Sequence, residues 1–117
     1  MINYNDRTFR PVQTTANGEV NTETIFHYQQ HGFLVSATYT GGDVLFGHLI
    51  GLADAEGEME LRYHHVNNKG ELMTGICFTT PEILPDGRIR LHEKWQWTSG
   101  DGSQGASMVE EVWENNV

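Results

Sequence analysis

Arg88-Ile89-Arg90-Leu91-His92-Glu93-Lys94-Trp95-Gln96-Trp97-Thr98 alternates with a period of two. Ile89, Leu91, Trp95 and Trp97 share one face, while Arg88, Arg90, His92, Lys94, Gln96 and Thr98 share the other. Side chains on an extended chain point alternately to opposite faces, so this is the signature of a half-buried β-strand. One residue departs from it. Glu93 stands on the apolar face, between Leu91 and Trp95.

Turn chemistry recurs along the rest of the chain. It occurs at Asn17-Gly18, His31-Gly32, Gly41-Gly42, Asp54–Gly57, Asn68-Lys69-Gly70, Pro85-Asp86-Gly87 and Gly100-Asp101-Gly102. Glycine at such points permits the positive φ that tight hairpins need. Seven turns bound eight strand-length segments, roughly 8–15, 20–30, 33–40, 43–53, 58–67, 71–83, 88–98 and 106–114. None sustains a 3.6-residue apolar period, and the short connections imply antiparallel neighbours. The expected fold is all-β, an eight-stranded antiparallel up-and-down barrel. A two-sheet β-sandwich is the alternative, although it usually needs longer connections.

At 117 residues the chain has the length of one domain, 1–117. Residues 1–7 and 115–117 and the glycine-rich loop 99–105 are expected to be loose. No apolar run is long enough for a membrane-spanning helix, and the N-terminus lacks the layout of a signal peptide. Cys77 is the one cysteine, which excludes an internal disulfide and points to a cytoplasmic protein. A net charge of −9 and the lack of a basic stripe make nucleic acid and anionic membranes poor partners.

Alternation suggests which faces look inward. Phe33, Val35, Ala37 and Tyr39 form the inner face of the third segment, and Met59, Leu61, Tyr63 and His65 that of the fifth. In the fourth segment Val44, Phe46, His48, Ile50 and Leu52 share one face and Leu45 and Leu49 the other. Both faces are apolar, so the outer one is a candidate for cover by a second copy, a homodimer, or by the N-terminal segment. In the last segment Val109 and Trp113 would carry Glu111 inward, whereas Met108 and Val112 favour the opposite face. Register stays open: a three-residue loop at 85–87 sets Cys77 beside Trp95, and an even loop sets Ile76 or Phe78 there.

The resulting interior is unusually polar. Tyr39, His48, Tyr63, His65, Glu93 and Glu111 mix with Trp95, Trp97 and Trp113. An eight-stranded barrel is either filled by side chains or holds one small ligand. Polar groups set among aromatics suit a ligand pocket, so Tyr39, His48, Tyr63, His65, Glu93, Trp95, Trp97 and Glu111 are the candidate ligand-binding residues for a small organic molecule. A competing reading pairs Glu93 with Arg62 or a histidine, or sets it near water at the barrel mouth. If the barrel is an enzyme of the isomerase, lyase or acyl-transfer type, Glu93 and His65 would be its acid and base. The histidines lack metal-ligand spacing, and no phosphate loop, dinucleotide fingerprint or nucleophile elbow occurs. Neither a metal nor a cofactor is expected.

The runs Leu61-Arg62-Tyr63-His64-His65-Val66-Asn67, Gly70-Glu71-Leu72-Met73-Thr74-Gly75 and Leu91-His92-Glu93-Lys94-Trp95-Gln96-Trp97-Thr98-Ser99-Gly100 resemble a family of small bacterial single-domain proteins. The resemblance spans about Phe9 to Val112. Members are frequently labelled N-acetylglutamate synthase, which implies acetyl transfer from acetyl-CoA to glutamate. The Arg/Gln-x-x-Gly-x-Gly/Ala turn of acetyl-CoA-dependent N-acetyltransferases does not occur in the sequence. In architecture the meander is also similar to avidin-like and lipocalin-like barrels, by analogy of fold alone.

Overall fold

The computed structural model describes residues 2–113. Eight strands follow one another: β1 (Arg7–Thr14), β2 (Ile25–His31), β3 (Leu34–Gly41), β4 (Val44–Ala53), β5 (Met59–Asn67), β6 (Leu72–Ile83), β7 (Ile89–Trp97) and β8 (Gln104–Glu111). Each pairs with the next in antiparallel fashion, and β8 returns to β1, with Phe9 opposite Glu111. The sheet is a closed barrel. Closure leaves no edge strand to pair with another chain, which the sandwich would have done.

Seven of the eight strands begin within about two residues of where alternation and turns set them. The exception is β2, which starts at Ile25 rather than near 20. Residues 15–24 form a ten-residue connection instead of a short turn. Its polar run Asn21-Thr22-Glu23-Thr24 bonds to itself: Asn21 Oδ1 accepts from the Glu23 amide and Thr24 Oγ1 from the Asn21 amide. Asn and Thr side chains bound to nearby backbone compete with a strand ladder.

In β4 the alternation slips. The β4–β5 register shifts between Val44 and Phe46, leaving Leu45 as the extra residue of a bulge. Val44, Gly47 and Leu49 therefore face inward, and Phe46, His48, Ile50 and Leu52 outward. His48 is consequently not an interior residue; its ring lies 5.4 Å from that of His64 on the outer wall. The outer apolar face is Leu45, Phe46, Ile50 and Leu52, with Leu49 in the core. Phe33 and Trp113, both expected inside, are 69% and 52% exposed, because Phe33 belongs to the β2–β3 turn and Trp113 follows the end of β8.

One end of the barrel is filled. Tyr4, Phe9 and Tyr28 meet there, with the Phe9 and Tyr28 rings edge to face at 5.1 Å and Tyr4 within 6.4 Å of both. Tyr4 is fully buried, its hydroxyl donates to the Gly57 carbonyl, and its amide donates to Gln30 Oε1. Residues 2–6 thus plug the barrel and are not the loose tail expected of 1–7. The tail 115–117 lies outside the described residues. Val35, Ala37, Leu61, Leu91 and Val109 are buried in the same core cluster.

Candidate functional site

The opposite end holds a cavity of about 60 Å³. Phe26 of β2, Tyr39 of β3, Leu49 of β4, Leu61, Tyr63 and His65 of β5, Cys77 of β6, Glu93, Trp95 and Trp97 of β7 and Ser107 of β8 line it, so every strand but β1 contributes. The lid is the β1–β2 connection, through Gly18, Glu19 and Val20. Asn17 ties the lid to the adjoining β7–β8 connection: its Nδ2 donates to Ser103 Oγ and the Gln104 carbonyl, and its carbonyl accepts from Trp97 Nε1. Contacts to Thr15 and Asn17 also hold part of the 99–105 loop and its flank.

Glycine makes room for the aromatic wall. Tyr39 pairs with Gly47, Tyr63 with Gly75 and Trp95 with Gly105 on the next strand. A methyl group on any of these glycines would collide with the ring that lies across it. The rings therefore lean flat over the neighbouring backbone, and the space they leave is the cavity. Phe26 and Tyr39 stack at 4.7 Å, and Trp97 stands edge to face with Tyr63, His65 and Trp95 at 5.6–5.8 Å.

The polar groups form two separate systems. Tyr39 Oη lies 2.8 Å from His65 Nδ1, and Glu19 Oε1 lies 2.7 Å from His65 Nε2. Asn67 Nδ2 donates to Glu19 Oε2 and to Glu71 Oε1. Tyr39 has an alternative acceptor only at 3.5 Å, the His64 carbonyl, so its hydroxyl hydrogen goes to Nδ1. His65 then carries its proton on Nε2 and gives it to Glu19, which satisfies both ring nitrogens. Burial pushes the Tyr39 and Tyr63 hydroxyls and the Cys77 thiol well above their ordinary ranges, helped by the nearby Glu93 charge. Cys77 accordingly remains a neutral thiol packed in the wall.

Glu93 is the second system. It is 9% exposed, and among the described residues it has neither an ion-pair nor a hydrogen-bond partner. Burial alone lifts its carboxyl from the usual carboxylate range to about 7. The Arg62 pairing does not form, because Arg62 lies outside and bonds Glu60. Thr79 and Ser107 flank Glu93 on the neighbouring strands, but Ser107 Oγ is occupied by Trp95 Nε1 and Thr14. Near it the Tyr28 hydroxyl and Thr79 Oγ1 are fully buried without partners among the described residues.

Six of the residues expected at the site line this cavity: Tyr39, Tyr63, His65, Glu93, Trp95 and Trp97. His48 is on the outside. Glu111 is buried, as expected, but at the plugged end, where Arg7 grips both its oxygens at 3.0 and 2.8 Å and the Ile89 amide adds a third bond. It closes the β7–β8–β1 seam and does not reach the cavity. Glu19 was not legible as a site residue, since it fell between the Asn17-Gly18 turn and a segment assigned to strand from residue 20. The polar run that follows was the available sign of a longer loop. No group of three or more metal-ligating side chains occurs among the described residues.

The family model described as Avidin-like protein matches residues 2–112. The chain belongs to the avidin-like family. The match covers the plug, all eight strands and the lid, so the whole avidin-like barrel and the cavity at its mouth fall within it. No curated protein matches the avidin-like chain.

Proposed function

We propose that this avidin-like barrel binds a small organic ligand in the cavity at its mouth, beneath the lid formed by residues 15–24. One observation carries the reading: Glu93 is nine-tenths buried, without a partner among the described residues, on the wall of a cavity lined mostly by aromatic and aliphatic side chains. A buried carboxyl without a partner is unfavourable, and a filled apolar core would be more stable with leucine there. A ligand that supplies the missing partner removes the penalty. Trp95 and Trp97 line the cavity and report on occupancy, while Trp113 is exposed background. Titrating the Trp113→Phe protein against a broad metabolite panel should therefore quench fluorescence and raise Tm for the right compound. A panel that does neither would sink the proposal.

An acid–base enzyme on the same barrel is the second reading, favoured by the Glu93 carboxyl titrating at about 7. His65 is a weaker candidate than Glu93, since both its nitrogens are engaged. Under this reading Glu93→Gln abolishes turnover and leaves affinity nearly unchanged. Acetyl transfer to glutamate is a separate question. The lining residues include two carboxyls and neither lysine nor arginine, which weighs against anionic substrates. Incubation with acetyl-CoA and glutamate should yield no acetylated product.

Self-association is proposed for the outer row Phe46, Ile50 and Leu52. Charged substitutions at Ile50 and Leu52 should lower the mass in solution; an unchanged mass would dismiss it.

A further inference from the structure

The charges around the cavity are all of one sign. Glu93 faces it from β7 and Glu19 from the lid, and the lining contains neither lysine nor arginine. Lys94 and Arg62, close by in sequence, point outward. His65 does not reverse the balance. Neutral, it leaves Glu19 negative; protonated, it is neutralised by Glu19 at 2.7 Å. The histidine and its carboxylate therefore never present net positive charge to a ligand.

Three ligand classes can be compared on this footing. An anion would meet Glu93 and Glu19 in a setting of low polarity, where like charges repel strongly. A purely apolar molecule would leave the Glu93 carboxyl as unpartnered as before. An ammonium group gives Glu93 a charge-assisted hydrogen bond, and the electron-rich rings of Tyr63, Trp95 and Trp97 attract the same cation.

We propose that the cavity is a site for a small organic cation, an ammonium group on a short apolar body, with its charge against Glu93 and its body among Tyr39, Tyr63, Trp95 and Trp97. The inference rests on the ligand-binding reading and adds the class of ligand. The lid carboxylate of Glu19 lies at the entrance, so the approach is favourable for the same charge.

Two matched sets of probes separate the classes: benzylamine, benzyl alcohol and benzoate, and propylamine, propanol and propionate. Each is titrated into the Trp113→Phe protein at mildly alkaline pH, with fluorescence and calorimetry as readouts. The amines should bind about tenfold or more tighter than the alcohols, and the carboxylates should not bind. Glu93→Gln should remove the advantage of the amines over the alcohols. Tyr63→Leu, which keeps Glu93, should weaken the amines more than the alcohols. Carboxylates binding as well as amines, or an amine preference that survives Glu93→Gln, would overturn the cation assignment while leaving a binding pocket. Silence from all six probes also overturns it; only an equally silent metabolite panel would remove the binding reading as well.

Discussion

His65 Nε2 donates a 2.7 Å hydrogen bond to Oε1 of Glu19, a residue 46 positions earlier in the chain. This contact joins the lid to the barrel wall, and Asn67 holds the second oxygen of the same carboxylate. Without Glu19 the buried His65 N–H would have no acceptor. Glu19→Ala should lower unfolding stability by about 1–3 kcal/mol, measured by denaturant titration, and Glu19→Gln by less because it keeps an acceptor. Amide exchange within residues 15–24 should accelerate in the alanine variant and leave the β6 and β7 amides protected.

Glu93 makes stability depend on pH in the direction opposite to an ordinary salt-bridged carboxylate. Its carboxyl titrates at about 7 in the folded barrel and near the ordinary 4.5 when unfolded. Between these values the folded state binds the extra proton, so stability is fullest below about 4.5 and declines as pH rises through 7. The loss attributable to this group is about 3 kcal/mol. Glu93→Gln should remove it, so the difference in unfolding free energy between variant and parent should swing in the variant's favour from pH 4 to pH 8. Glu82, Asp86 and Asp101, whose carboxyls are held below the usual range by hydrogen bonds, change stability in the opposite sense and are common to both proteins. A pH-independent difference would contradict a buried, unpartnered Glu93.

Gly47 and Tyr39 test the aromatic wall. Gly47→Ala drives a methyl group into the Tyr39 ring and through it disturbs the His65 hydrogen bond. The expected cost is about 1–3 kcal/mol, as for other overpacked cores. Combining it with Tyr39→Leu should cost less than the sum of the two single changes, because the clash is then gone. Additive costs would show that the ring does not depend on the glycine.

Arg7 and Glu111 belong to the other end. Arg7→Ala should destabilise by about 2 kcal/mol, moderated because Arg7 is about one-third exposed and the Ile89 amide still serves Glu111. Ligand titrations of Arg7→Ala should match those of the parent. A shift in affinity would reinstate Glu111 as part of the site.

His48 serves as a control. Its ring is outside, so His48→Ala should leave both stability and binding within about 0.5 kcal/mol of the parent, as for ordinary surface changes.

Strand number, antiparallel order and most inward faces were legible because each depends on neighbours in the chain. The period of two in Arg88–Thr98 and in Met59–His65 depends on local backbone geometry, and the turn glycines are local as well. That is why Tyr63, His65, Glu93, Trp95 and Trp97 could be singled out. The limit came wherever one extra residue mattered. A bulge at Leu45 reversed the rest of β4 and took His48 outside, and nothing in Val44–Leu52, apolar on both faces, signals it. Closure between β1 and β8 set Arg7 upon Glu111, a contact between residues 104 apart.

By itself, then, the sequence determined the eight strands, their order and an anomalous carboxyl among tryptophans, since periodicity and turn chemistry act over a few residues. Only the tertiary structure decided that Glu93 stands on a cavity wall without a partner among the described residues, that Glu19 arrives from the lid to meet His65, and that Glu111 belongs to the opposite end. Those are relations between distant residues, set by the barrel's closure and stagger, and no local pattern encodes them.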